Sequence, residues 1–151
     1  MRLWPGCNCC EETSESSAPC GCTGGIPTYW KVIFDDLANG TCTGCVNYNG
    51  LEFGLYGTVN PCVWSGPTGG ACIGTNNDYA TLVISSITGG IRVTVTLAIY
   101  DFPTLSWKFT IWQKDYVGGD CMIYSDFLPL LSDENVLCDN SAATCHISAV
   151  P

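Results

Sequence analysis

The residues able to do chemistry in this chain are few and unevenly spaced. His146 is the single histidine, so a Ser-His-Asp arrangement would have only this residue as its base. It stands in Cys145-His146-Ile147, where period-two alternation puts it on the opposite side of a strand from both neighbours, facing outward. No Gly-x-Ser-x-Gly elbow leads into a helix. Cys42-Thr43-Gly44-Cys45 is a CxxC pair with three readings. It is a loop staple, or a zinc half-site completed by Cys20 and Cys22 or by Cys7 and Cys9, or a redox dithiol. The redox reading needs a helix after the second cysteine, and Val46-Asn47-Tyr48-Asn49-Gly50 does not read as one. Asp35-Asp36 and Asp133-Glu134 pair carboxylates in sequence, whereas glycoside hydrolysis needs two carboxyls facing each other across a cleft. Asn76-Asn77-Asp78 and Asp139-Asn140 offer oxygen ligands without the EF-hand spacing. The expectation is a non-enzyme with no catalytic residue, no cofactor and no metal site.

The cysteines point to covalent stapling. There are twelve in 151 residues, an even number at a density that reads as a disulfide framework. Cys7, Cys9, Cys10, Cys20 and Cys22 lie near the N-terminus, and Cys42, Cys45, Cys62, Cys72, Cys121, Cys138 and Cys145 lie in the body. All twelve are candidates for structural disulfides. Both sets are odd, so full oxidation requires at least one bridge from the arm to the body or to another chain. The connectivity stays open. The N-terminal Met1-Arg2-Leu3-Trp4-Pro5-Gly6-Cys7 shows no apolar run of the signal-peptide kind. A protein oxidised outside the cell or on a virion fits that combination, and a zinc protein of a reducing cytosol is a third reading.

Charge narrows the partners. Only 13% of residues are charged, against about 25% in an average domain. Five basic residues face fourteen acidic ones, for a formal charge of −9. Arg2, Lys31, Arg92, Lys108 and Lys114 form no cluster, so nucleic acid and anionic membranes are not expected partners. No run approaches the 18 or so apolar residues of a membrane helix. The surface must be built mostly from Thr, Ser, Asn and Gly, which lose less on desolvation than ions do.

These side chains must be carried by strands. In Tyr29–Asp35, Trp30, Val32 and Phe34 share one face. Leu51, Phe53 and Leu55 alternate with Glu52, Gly54 and Tyr56, and Cys62-Val63-Trp64 is a short strand. Ala80–Ile87 is β-branched and is broken by Thr88-Gly89-Gly90, a hairpin signal. Ile91, Val93, Val95, Leu97 and Ile99 then alternate with Arg92, Thr94, Thr96, Ala98 and Tyr100, the mark of a strand with one buried face. Leu105, Trp107, Phe109 and Ile111 alternate with Ser106, Lys108 and Thr110. Cys121–Tyr124 and Cys145–Val150 complete the set. No helical period is sustained. The fold class expected is all-β, an antiparallel β-sandwich or jelly roll over residues 28–151, preceded by an irregular Cys-rich arm at 1–27. The arm has no core of its own and is expected to lie across a neighbour.

Gly25-Ile26-Pro27-Thr28-Tyr29-Trp30, Asn39-Gly40-Thr41-Cys42-Thr43-Gly44-Cys45, Asn49-Gly50 and Cys62-Val63-Trp64-Ser65-Gly66 together resemble a group of small Cys-rich β proteins of bacterial and bacteriophage genomes. The likeness covers most of residues 7–150. The group is mostly uncharacterised, and the likeness implies no known active site.

Five Trp and seven Tyr remain for the surface or the core. Trp30, Trp64 and Trp107 sit on apolar faces and are expected inside. Trp4, Tyr56, Tyr100 and Trp112 are the candidates for surface binding. The function expected is a non-enzymatic assembly protein of a bacteriophage virion, as a capsid decoration or a tail or fibre component. It would bind protein, whether copies of itself or other virion proteins, in a virion or extracellular location. The alternative is an extracellular carbohydrate-binding module with a glycan partner, which would need aromatics lined up on one exposed sheet face.

Overall fold

A computed structural model describes residues 19–35, 49–68, 78–101, 105–127 and 144–151. Among the described residues there are eight strands: β1 Tyr29–Asp35, β2 Glu52–Gly57, β3 Val63–Pro67, β4 Tyr79–Ile87, β5 Gly90–Asp101, β6 Ser106–Val117, β7 Tyr124–Phe127 and β8 Thr144–Val150. The antiparallel all-β architecture expected from the alternation is present. All eight strands belong to one sheet of order β6-β5-β4-β3-β2-β1-β8-β7. Each ladder neighbour is also a neighbour in sequence, save for β1 and β8 at the two ends. The sheet is therefore a meander that wraps until β7 approaches β6, and it is nearly closed.

Wrapping brings opposite parts of the sheet together, as the layers of a sandwich meet. Phe34 on β1 and Trp112 on β6 are not ladder neighbours, yet their rings lie 4.9 Å apart. Trp30 meets Trp64 edge to face at 5.8 Å, a favoured aromatic geometry. Val32, Leu55, Leu82, Ile84, Ile91, Val93, Val95, Leu97 and Ile147 fill the space between them. The strict alternation of β5 is realised as expected, with its odd positions Ile91 to Ile99 buried. The two-residue turn Thr88-Gly89 places Gly89 at φ +80°, a conformation glycine adopts without steric cost. It sets Ile87 opposite Gly90 and so fixes the β4–β5 register.

Where the arm is described, residues 19–27 lie on their own sheet. Cys20 is bridged to Cys62 and Cys22 to Cys121. Cys22 is buried in the core, the Thr23 amide donates to the Gly119 carbonyl, and the Trp64 indole donates to the Pro27 carbonyl at 3.2 Å. Both bridges join arm to body, one of the two outcomes that the odd cysteine counts allowed. Cys121 is committed to its disulfide and precedes the strand expected over Cys121–Tyr124. The ladder begins at Tyr124 and runs to Phe127.

Candidate binding face

The outer surface of β4, β5 and β6 follows from register. Residues directly opposite in an antiparallel pair point to the same side. Tyr100 pairs with Trp107, Ala98 with Phe109 and Thr96 with Ile111, and Tyr79 pairs with Ala98. Since the odd residues of β5 face the core, its even residues face outward, and with them the odd residues of β6. Trp107 is accordingly on the outside, 36% exposed, and Trp112 is fully buried. This reverses the sequence expectation for both. β6 carries apolar residues at odd and even positions alike, so its own pattern does not choose a side. The hydrogen-bonded ladder with β5 chooses, and a shift of one residue turns every side chain over.

The outcome is an aromatic and aliphatic cluster on the outer face. Trp107 meets Tyr79 edge-on at 5.5 Å and Tyr100 edge-on at 5.3 Å. Ala98 is completely covered although it faces outward, flanked by Tyr79 and Phe109. Leu105 is 68% exposed at the margin. Beyond this cluster the face continues through Thr81, Thr94, Thr96 and Gln113 to a single ion pair. There Arg92 Nε and Nη2 reach Asp115 Oδ1 and Oδ2 at 2.7 and 3.0 Å. Arg92 and Asp115 are the only charged residues at the outward positions of these strands. In a chain of formal charge −9, this face carries no net charge.

The other surface candidates divide. Tyr100 belongs to the cluster just described. Tyr56 is exposed on β2, with its ring stacked on Tyr29 at 5.2 Å and 22° between planes. An ideal Cβ at Gly54 would run into the Tyr56 ring, so that ring lies across the glycine. Trp4 lies outside the described residues. Tyr79, Trp107 and Phe109 were not singled out as surface residues from sequence. Knowing the β5–β6 register would have found them.

The cysteines also divide. Cys20, Cys22, Cys62 and Cys121 form the two bridges, which removes Cys20 and Cys22 from the zinc set weighed with the CxxC pair. Cys145 is a free, buried thiol among the described residues, against the expectation that it pairs. Burial pushes its titration well up, and the Asp126 charge adds to this. Such a thiol is inert compared with an exposed thiolate. Cys7, Cys9, Cys10, Cys42, Cys45, Cys72 and Cys138 lie outside the described residues, as do Asp36, Asn76, Asn77, Asp133, Glu134, Asp139 and Asn140. Among the described residues, no three His, Cys, Asp or Glu side chains are grouped to hold a metal ion. Two disulfides of this kind are typical of proteins outside the reducing cytoplasm. Among the described residues no helix is long and apolar enough to cross a membrane.

His146 faces outward from β8, as its place in the alternation implied. Its Nδ1 lies 2.6 Å from Asp126 Oδ1 on β7, and its Nε2 lies 2.8 Å from Asp35 Oδ2 on β1. Both ring nitrogens are thus engaged by carboxylates. Partial burial lowers the imidazole's proton affinity, but the Asp126 and Asp35 carboxylates outweigh it, and the net shift is upward.

Comparison of the chain with known protein families, with curated proteins and with solved structures finds no match.

Proposed function

We propose that the protein is a non-enzymatic assembly domain that docks onto a second copy of itself through the outer face of β4, β5 and β6. The observation that carries this is the outer-face cluster of exposed Tyr79 and Trp107 with part-buried Tyr100, on a face without net charge. Aromatic residues are enriched where protein surfaces meet, and charged residues are depleted at the centre of such contacts. Two chains of charge −9 repel wherever their acidic surfaces approach. They meet at least cost through a neutral patch. The resemblance to small Cys-rich β proteins of bacterial and bacteriophage genomes is compatible with a virion as the setting, where copies of one chain tile a surface. Sedimentation velocity over a concentration series tests the proposal. The wild type should associate, and a Tyr79→Ser/Trp107→Ser variant should stay monomeric with an unchanged far-ultraviolet circular dichroism spectrum. A wild type that remains monomeric at millimolar concentration refutes it.

One observation favours the carbohydrate-binding alternative, because aromatics do line one exposed sheet face. Trp107, however, stands 66° and 71° from the planes of its two tyrosine neighbours. The three rings make a corner, whereas sugar stacking uses a flat surface. The flatter Tyr29–Tyr56 pair is where a glycan would stack. Loss of oligosaccharide binding in Tyr56→Ala would support that reading.

A further inference from the structure

The nearly closed sheet has, among the described residues, a weak line where β6 and β7 approach without a ladder between them. Among the described residues, Tyr116 Oη and Ser125 Oγ join these strands, 2.8 Å apart. On its other side β7 has four residue pairs with β8, Tyr124↔Ser148 to Phe127↔Cys145. The Ala149 amide also donates to the Ile123 carbonyl just ahead of the strand. A strand held by so short a ladder depends on its side-chain ties.

The Asp35–His146–Asp126 triplet is the tie. It spans three consecutive strands of the sheet, β1, β8 and β7. A neutral imidazole has one N–H, so it can donate to only one of two carboxylates and must turn a lone pair toward the other. Both short contacts are satisfied together when the ring is an imidazolium. We propose that this triplet is a proton-operated clasp: the charged ring ties β7 to β1 across β8, and its deprotonation leaves one N–H for two carboxylates, which breaks the three-strand tie and loosens the β6–β7 seam.

The groups facing the ring are Asp35 and, one position away, Lys31 on β1, Asp126 and Tyr124 on β7, and Glu52 on β2. Glu52 stands opposite Ile33, which in turn stands opposite His146. The nearest groups are carboxylates, so the surroundings favour the charged ring. The folded-state titration is raised, so the clasp's contribution is complete below about 6.5, the ordinary histidine value. It is lost as pH rises through the higher folded value. The clasp rests on the geometry of β1, β8 and β7 and does not depend on what the outer face of β4–β6 binds.

The chain's single histidine gives one Cε1–H resonance in a proton NMR titration, so no assignment to a residue is needed. Its midpoint should stand above about 6.5 and fall toward that value in Asp126→Asn and in Asp35→Asn. Amide exchange across Tyr124–Phe127, divided by the intrinsic rate at each pH, should speed up several-fold through the same midpoint. Exchange in β5 should show no such step. In His146→Gln, which cannot carry the proton, β7 should exchange fast at all pH values. A midpoint at or below the ordinary value overturns the proposal. So does β7 protection without a step at the midpoint, or with a step that persists in His146→Gln.

Discussion

Replacing Cys22 and Cys121 together with alanine should cost this protein about 4 kcal/mol. The bridge spans 99 residues of sequence. In the unfolded chain the Cys20–Cys62 bridge already shortens that path, which runs from Cys22 back to Cys20, across, and on from Cys62 to Cys121. The effective loop is roughly 60 residues, for which the chain-entropy estimate gives about 4.3 kcal/mol, against about 4.7 for the unshortened loop. Both cysteines are buried, so the alanine pair also loses some packing. With a urea slope of about 2 kcal/mol per molar, the unfolding midpoint should drop by about 2 M. Equilibrium urea unfolding, followed by tryptophan fluorescence under non-reducing conditions, measures it. A loss below about 1 kcal/mol would refute the reasoning. It would mean that residues 19–27 are not an integral part of the sheet's core, and that the arm lies elsewhere in solution.

The two tryptophans of β6 should behave oppositely. Trp112→Ala removes a fully buried ring and should cost about 3–5 kcal/mol, while Trp107→Ala, from the half-exposed cluster, should cost about 1 kcal/mol. Thermal or urea unfolding separates them, and equal losses would contradict the register. Gly90→Ala puts a Cβ into the Tyr116 carbonyl oxygen on the neighbouring strand, and should cost about 1–3 kcal/mol in the same assay. Arg92→Ala removes an exposed ion pair with Asp115 and should leave the urea midpoint essentially unchanged.

The parts of the fold that were legible in the sequence are those set by local period. The buried and exposed faces of β1 and β5, the Thr88-Gly89 turn and the outward aim of His146 all follow from alternation within a few residues. The inversion of β6 was not legible. Its apolar residues occupy both faces, and the deciding quantity is its pairing with β5. Counting cysteines pointed to a bridge from the arm to the body or to another chain, but the choice of Cys62 and Cys121 as partners is made by the folded sheet. The clasp was half visible. His146 stood out as the single histidine, whereas its partners lie 20 and 111 residues away in sequence and meet it only because β1, β8 and β7 are neighbours.

Hydroxyl-radical footprinting at increasing protein concentration tests the docking face most directly, because oxidation is read residue by residue. Trp30, Trp64 and Trp112 are buried in the single chain and should resist oxidation at every concentration. Trp107 and Tyr79 should be oxidised in dilute solution and become protected as the chains associate, in step with the sedimentation mass. Exposed Tyr124 on β7 should stay reactive throughout. Oxidation of Trp107 that is unchanged while the mass rises would contradict the account, as would a Trp112 more reactive than Trp107 in dilute solution.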